Sequence, residues 1–222
     1  MTFSEENYLK AIFHLEHQYE KGVPTNAIAD NMDTKASSVT DMVKRLSRKK
    51  LLAYKKYQGA KLNEEGRKHA LNVIRKHRLW ECFLVDKLHF SWDEVHVIAE
   101  QLEHIQSEKL TDKLEVFLGF PEVDPHGDPI PDKQGKFAKI SKVLLSDCEN
   151  GQRGVFTGVK DSSVSFLQYL DKRAITLGTV LTILDTEEFD QSRKIENQGQ
   201  VQSISYKTAS NLYLKLLPKD GE

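Results

Sequence analysis

Residues 36–62 read "ASSVTDMVKRLSRKKLLAYKKYQGAKL", and two periodicities meet inside them. Val39, Met42, Val43 and Leu46 recur every three or four residues, which predicts a helix from Ala36 to about Lys49 with one apolar face. The pattern then changes to two short strand-like runs around Gln58-Gly59-Ala60, a hairpin with a glycine turn. Upstream, Tyr8, Leu9, Ile12, Phe13 and Leu15 share helical spacing over about 4–19, with Ser4 near the N-cap. "KGVPTN" breaks that helix. Pro24 can open a second one through Ala27, Ile28 and Ala29, and "DNMDTKASS" is a short polar turn. Helix, helix, turn, helix and hairpin is the order of a winged helix-turn-helix.

Charge points the same way. The chain has 32 basic and 33 acidic residues, a net charge of −1, so the total suggests no polyanion binder. Yet Lys44, Arg45, Arg48, Lys49, Lys50, Lys55 and Lys56 crowd between Lys35 and Lys61, with Asp41 as the lone acid. Cations beside phosphates release condensed counterions and supply affinity for DNA. Small or polar residues at the start of the third helix, Ala36, Ser37, Ser38, Thr40 and Asp41, suit close entry into a major groove. The expected DNA-contacting set is Lys35, Ala36, Ser37, Ser38, Thr40, Asp41, Lys44, Arg48 and Lys61. A basic run alone is more often a solvated face; the element order is what favours DNA.

Downstream, the spacing predicts two longer helices, about 64–88 and about 91–118, with Ser91 and Glu94 in capping-box spacing. "GFPEVDPHGDPIPDKQGK" holds four of the six prolines and reads as a loop. From about Lys142, β-branched runs alternate with turn signals, as in a small β-barrel or roll. The expected fold is mainly α with small β. It divides into a winged helix-turn-helix domain (1–63), a helical domain (64–141) and a small β domain (142–222). The 39% hydrophobic content, the lack of a long apolar run and of a leader-like start, and two distant cysteines fit a reduced cytoplasmic setting.

"HVIAEQLEH", residues 96–104, adds a second chemistry. His96, Glu100, Glu103 and His104 fall on one sector of a helix, beside the apolar Val95, Ile98, Ala99 and Leu102. On the preceding helix His77 and Glu81 lie one turn apart, and antiparallel packing would bring them to His96. Such pairs are more often solvated than ligating. Repetition on one side of two neighbouring helices raises the case for metal.

Together, "ENYLKAIFHL", "SSVTDMVKRL", "RKHRLWECFL", "VHVIAEQLEH" and "PHGDPIP" resemble, in order, the landmarks of the diphtheria-toxin-repressor-type family of iron- and manganese-dependent transcriptional regulators. The resemblance implies a winged helix, a helical dimerisation domain and a C-terminal SH3-like (FeoA-type) β-barrel. It also implies two metal sites. One is His77, Glu81 and His96, with Asp161 the nearest oxygen donor from the C-terminal domain. The other is Glu100, Glu103 and His104 with Asn7. Iron-responsive members tend to carry Cys and Met where this chain has Glu100 and Asn7, and manganese-responsive members Glu and Asp. Glu100, a hard oxygen donor, suits Mn(2+), with Fe(2+) the alternative. Asn7 departs from both patterns and brings no charge, and Lys10 adds positive charge nearby.

The expectation is therefore a manganese-activated repressor of metal-uptake genes, binding a palindromic operator as a homodimer, with no membrane or small organic substrate as partner. An iron-activated repressor is the near alternative. A metal-dependent hydrolase is the alternative of another class, but the chain has no HExxH, no nucleophile elbow and no Gly-rich phosphate loop. A metal-independent winged-helix protein is the third reading.

Overall fold

A computed structural model describes residues 1–218; residues 219–222 of the expected β domain lie outside the described residues. The first helix, α1 (Phe3–Leu15), starts two residues earlier than Ser4 suggests. Thr2 is its N-cap and forms a capping box with Glu5. Pro24 precedes α2 (Thr25–Asn31). The helix α3 (Ala36–Arg48) then leads into the hairpin β1 (Leu52–Lys55) and β2 (Gly59–Leu62). Leu9, Ile12, Ile28, Val39, Val43, Leu46, Leu52 and Ala60 close one core between these elements. That core fixes α3 and the hairpin as one body.

Asn63 caps α4 (Glu64–Leu88), its side chain accepting from the Gly66 N–H at 3.0 Å. At 25 residues this helix is about 37 Å long. It runs unbroken from the wing into the helical domain, and α1 packs along it. Arg75, Lys76, His77 and Glu81 of α4 are all buried, an unusual concentration of charge within one helix.

The second long helix expected over 91–118 is two helices, α5 (Val95–Leu102) and α6 (Glu108–Phe117). Ser91 does engage Glu94, its hydroxyl donating to Oε2 at 2.6 Å, but turns carry the chain to Val95. The break at 103–107 has polar causes. Glu103 and His104 turn inward, Lys76 Nζ donates to the freed Ile105 carbonyl at 3.4 Å, and Ser107 caps α6.

The C-terminal part is a six-stranded antiparallel sheet in the order β3-β8-β4-β5-β6-β7. The strands are β3 (Val143–Leu144), β4 (Arg153–Val159), β5 (Val180–Thr186), β6 (Arg193–Asn197), β7 (Gln200–Ile204) and β8 (Leu212–Leu216). Two short helices complete it, α7 (Val164–Asp171) and α8 (Tyr206–Ala209). Irregularities at Phe156/Gly158 and Ile183/Asp185 bend the sheet around Phe156, Leu167, Leu170, Leu181 and Leu214. The expected SH3-like β domain takes the form of an open sheet, with β3 and β7 at its two ends. Trp92, between α4 and α5, packs on this core and donates through Nε1 to Asp171 at 3.1 Å. No helix among the described residues is long and apolar enough to cross a membrane.

Candidate metal centre and nucleic-acid interface

The i, i+4 spacing puts His77 and Glu81 on the same face of α4, and α5 brings His96 over them. His77 Nε2 is 2.9 Å from Glu81 Oε1 and 3.1 Å from His96 Nδ1; His96 Nδ1 is 3.3 Å from the same oxygen. A second triad shares Glu81. It takes Asp124 and His126 from the proline loop, with His126 Nδ1 3.8 Å from Glu81 Oε2 and 4.0 Å from Asp124 Oδ1. In each triad the candidate donor atoms lie within 4.8 Å of one another. Glu81, Asp124 and His126 are buried, whereas His96 is on the rim.

The loop that supplies Asp124 and His126 is held by its own backbone. Asp124 Oδ1 accepts from the N–H of His126 at 2.8 Å and of Asp128 at 3.0 Å. His126 Nε2 is 2.7 Å from the Trp92 carbonyl, which orients the ring so that Nδ1 faces Glu81. The loop lies directly on β4, where the Val159 N–H donates to the His126 carbonyl at 2.9 Å. Gly127 is at φ 83°, and a Cβ there would stand 2.0 Å from the Thr157 carbonyl oxygen. Gly127→Ala is therefore expected to cost about 1–3 kcal/mol of stability, visible in thermal unfolding, and to weaken metal binding at this triad. Unchanged melting and metal titration would show that the crossing is not tight.

The electrostatics fit a cation. Glu81 is pushed upward by burial, but the neighbouring imidazoles of His126, His77 and His96 outweigh this and hold its carboxyl far below the usual range. The His96 imidazole is raised to about 9 by its hydrogen bonds to Glu100 and Glu81. Burial lowers His126, yet the adjacent Glu81 and Asp124 carboxylates lift it to about 9. Asp124 is raised to about 7 by burial, then by the charges of Glu81 and Asp128. In the metal-free chain, the two raised imidazoles contribute stability fully below their usual value near 6.5; that contribution is lost as pH rises through about 9.

At the other end of α5, Glu103 and His104 turn toward α1. His77 Nδ1 is 2.5 Å from Glu103 Oε2, so His77 joins both ends of the site. His104 Nδ1 is 2.6 Å from Glu6 Oε2, and its ring stacks on Phe3 at 4.6 Å. The α1 residue facing this end is thus Glu6, while Asn7 is exposed. Glu6 is one position away from Asn7, about 100° around the helix. Glu100 is half exposed, 3.5 Å from His96 Nε2, and held down to about 2 mainly by that hydrogen bond. The buried Glu103 Oε1 has no hydrogen-bond partner, an orphaned anionic oxygen that a cation would satisfy. Asp161 is not among these groups. Its carboxylate accepts from the Ser163 N–H at 2.9 Å, just past the β4 segment that binds the His126 backbone.

Sequence reasoning missed Glu6, Asp124 and His126 as site residues. The signal was present for the last two, as Asp-x-His in a loop rich in proline and glycine.

The residues expected to contact DNA divide sharply. Lys35, Ser37, Ser38, Asp41, Lys44 and Arg48 are exposed, and Ala36 and Thr40 half-buried. Thr40 spends its hydroxyl on the Ala36 carbonyl at 2.9 Å. A groove of about 1010 Å³ between α3 and the wing is lined by Thr40, Lys44, Tyr54, Lys56 and Tyr57. Lys61 lies on the wing's other side, beside Phe13 and Arg67. Arg45 and Lys49 are not free cations. They pair with the buried Glu5 of α1 at 2.9 and 2.6 Å, holding α3 to α1.

A winged helix joined by one long helix to a cluster of carboxylates and imidazoles defines a metal-responsive DNA-binding regulator as the class to compare with. Residues 1–60 match the N-terminal DNA binding domain of iron dependent repressors, and residues 63–132 match their metal binding and dimerisation domain. Residues 143–216 match the FeoA domain. The iron-dependent repressor IdeR of Mycobacterium tuberculosis is 41% identical over 128 residues, 57% of this chain and 54% of that protein. The match thus spans about half the length of that curated relative. A solved manganese-dependent transcriptional repressor in complex with manganese is 30% identical, over 96% of this chain and all of that one, with a TM-score of 0.82. The manganese regulator SloR is 30% identical over 98% of this chain and all of its own, with a TM-score of 0.72. The chain belongs to the diphtheria-toxin-repressor-type family of metal-dependent transcriptional regulators.

Proposed function

We propose that this chain is a cytoplasmic, manganese-activated DNA-binding repressor of metal-uptake genes, with Fe(2+) as the alternative effector. It acts as a homodimer on a palindromic operator and divides at about 63 and 141. The observation that carries this reading is the position of Glu81 between two triads, His77–Glu81–His96 and Glu81–Asp124–His126. The clusters offer imidazole nitrogen and carboxylate oxygen and no sulfur, a donor set that suits manganese. A relative described as manganese-dependent and one described as iron-dependent support both effectors. All the relatives named above are regulators, which disfavours the hydrolase reading.

A divalent ion, when bound, would supply positive charge to Glu6, Glu81, Glu103 and Asp124 in place of the protons it displaces from His96 and His126. The residues it would draw together belong to different elements. Glu6 lies on α1, His77 and Glu81 on α4, and His96, Glu103 and His104 on or just beyond α5. Fixing α1 against α4 and α5 fixes α3, because Glu5 ties α1 to Arg45 and Lys49. Two copies would then present their recognition helices at one spacing. Metal binding and DNA binding favour the same arrangement, so each strengthens the other. The exposed Val116, Phe117 and Phe120 at the end of α6, with Phe83 against Phe117, suit the dimer face.

Anaerobic titration of the chelated chain with manganese and with ferrous iron, read out as DNA affinity, tests the effector. Manganese is expected to activate at least as well as iron. Activation by iron alone would reassign it. A second result concerns protons. His96 and His126 are held protonated at neutral pH and must be neutral to ligate. Manganese affinity is therefore expected to rise with pH toward about 9, with proton release seen as a buffer-dependent heat in calorimetry. Binding heats identical in phosphate and Tris would contradict it.

A further inference from the structure

We propose that Lys10 is the resident cation of the α1 end of this site and sets how much metal that end requires. The inference rests on the metal-regulator reading. Lys10 Nζ is 2.7 Å from Glu103 Oε2, 3.4 Å from His77 Nδ1 and 4.0 Å from Glu100 Oε1. Three members of the candidate ligand set thus converge on one ammonium. The pairing is sheltered: the Lys10 side chain is 14% exposed and that of Glu103 1%.

Lys10 stands one helical turn beyond Glu6, so α1 presents a carboxylate and an ammonium to the end of α5. The two oxygens of Glu103 are engaged differently. Oε2 is taken by Lys10 and His77. Oε1 has no hydrogen bond and lies 3.8 Å from His104 Nε2, the ring nitrogen opposite the one that meets Glu6. One divalent ion therefore has a place on the Oε1 side. The Oε2 side, with Glu100 and His77, already holds a positive charge, and a second ion there must displace it. With Lys10 in place, the α1 end holds one ion rather than a pair, and binds it against the repulsion of a fixed neighbour.

The test is direct manganese binding to the full chain without DNA, followed by the electron paramagnetic resonance of free Mn(2+) and by chelator competition. Lys10→Met is expected to tighten the α1-end ion by about tenfold or more, the effect of removing one positive charge near a divalent ion even under water-like screening. Lys10→Glu is expected to add one ion per protomer, and Lys10→Arg to keep the parent's stoichiometry and affinity. Melting curves supply a second readout. Without metal, Lys10→Met leaves the buried Glu103 without its cation and lowers Tm, so manganese raises Tm more than in the parent. A purely structural lysine would lower Tm without tightening the ion or changing its number. Parent-like binding in both Lys10→Met and Lys10→Glu, with melting curves that show folded protein, overturns this inference alone. No manganese bound by parent or variants overturns the functional reading as well.

Discussion

Glu81→Gln is expected to abolish metal-activated DNA binding, with manganese affinity falling about a hundredfold or more. Loss of a group that merely orients a ligand already costs about 10–100-fold, and Glu81 is a candidate ligand in two triads. The substitution preserves side-chain volume and removes one buried negative charge. That charge lifts both His96 and His126, so both imidazoles are expected to titrate lower in the variant. The pH dependence of metal binding should flatten together with the loss of affinity. Retention of parental manganese affinity by a folded Glu81→Gln chain would remove the shared residue from the centre.

The second large effect lies at the other end of the molecule. Lys44→Ala and Arg48→Ala are each expected to weaken DNA binding and to reduce the slope of log affinity against log salt by about 0.9, one phosphate contact each. Lys49→Ala should leave the slope unchanged although it removes the same charge, because Lys49 is committed to Glu5. Its effect should appear in stability. Burial raises the Glu5 carboxyl, but Lys49 and the Thr2 backbone hold it below its usual value. A salt slope that falls equally for Lys44, Arg48 and Lys49 would mean that the basic run acts as an undifferentiated charged face. The contrast is a sharp one because all three residues lie within six positions at the end of α3.

The winged helix and α4 were legible in the sequence because local periodicity and turn chemistry dictate both. His77, Glu81 and His96 were legible for a similar reason. One pair is set by helical spacing, and the third follows once two successive helices pack antiparallel. The break at 103–107 was not, since it comes from Lys76, Glu103 and His104 meeting across elements. Glu6 against Asn7 is a question of helix phase about 100° apart, which is set by how α1 packs on its neighbours. Asp124 and His126 reach Glu81 only because Gly127 lets their loop lie on β4, a contact without periodicity. The open sheet likewise follows from strand pairing that alternation alone does not fix.

The most direct test of the account is the DNA affinity of the chelator-treated chain, measured by fluorescence anisotropy with and without saturating manganese. The probe is a duplex selected from a random pool by the manganese-loaded protein. The account predicts a gain of about 5–150-fold on adding manganese, the usual range for coupled sites, and its loss in Glu81→Gln. Equal affinity with and without the metal, in a chain that binds both manganese and DNA, would contradict it.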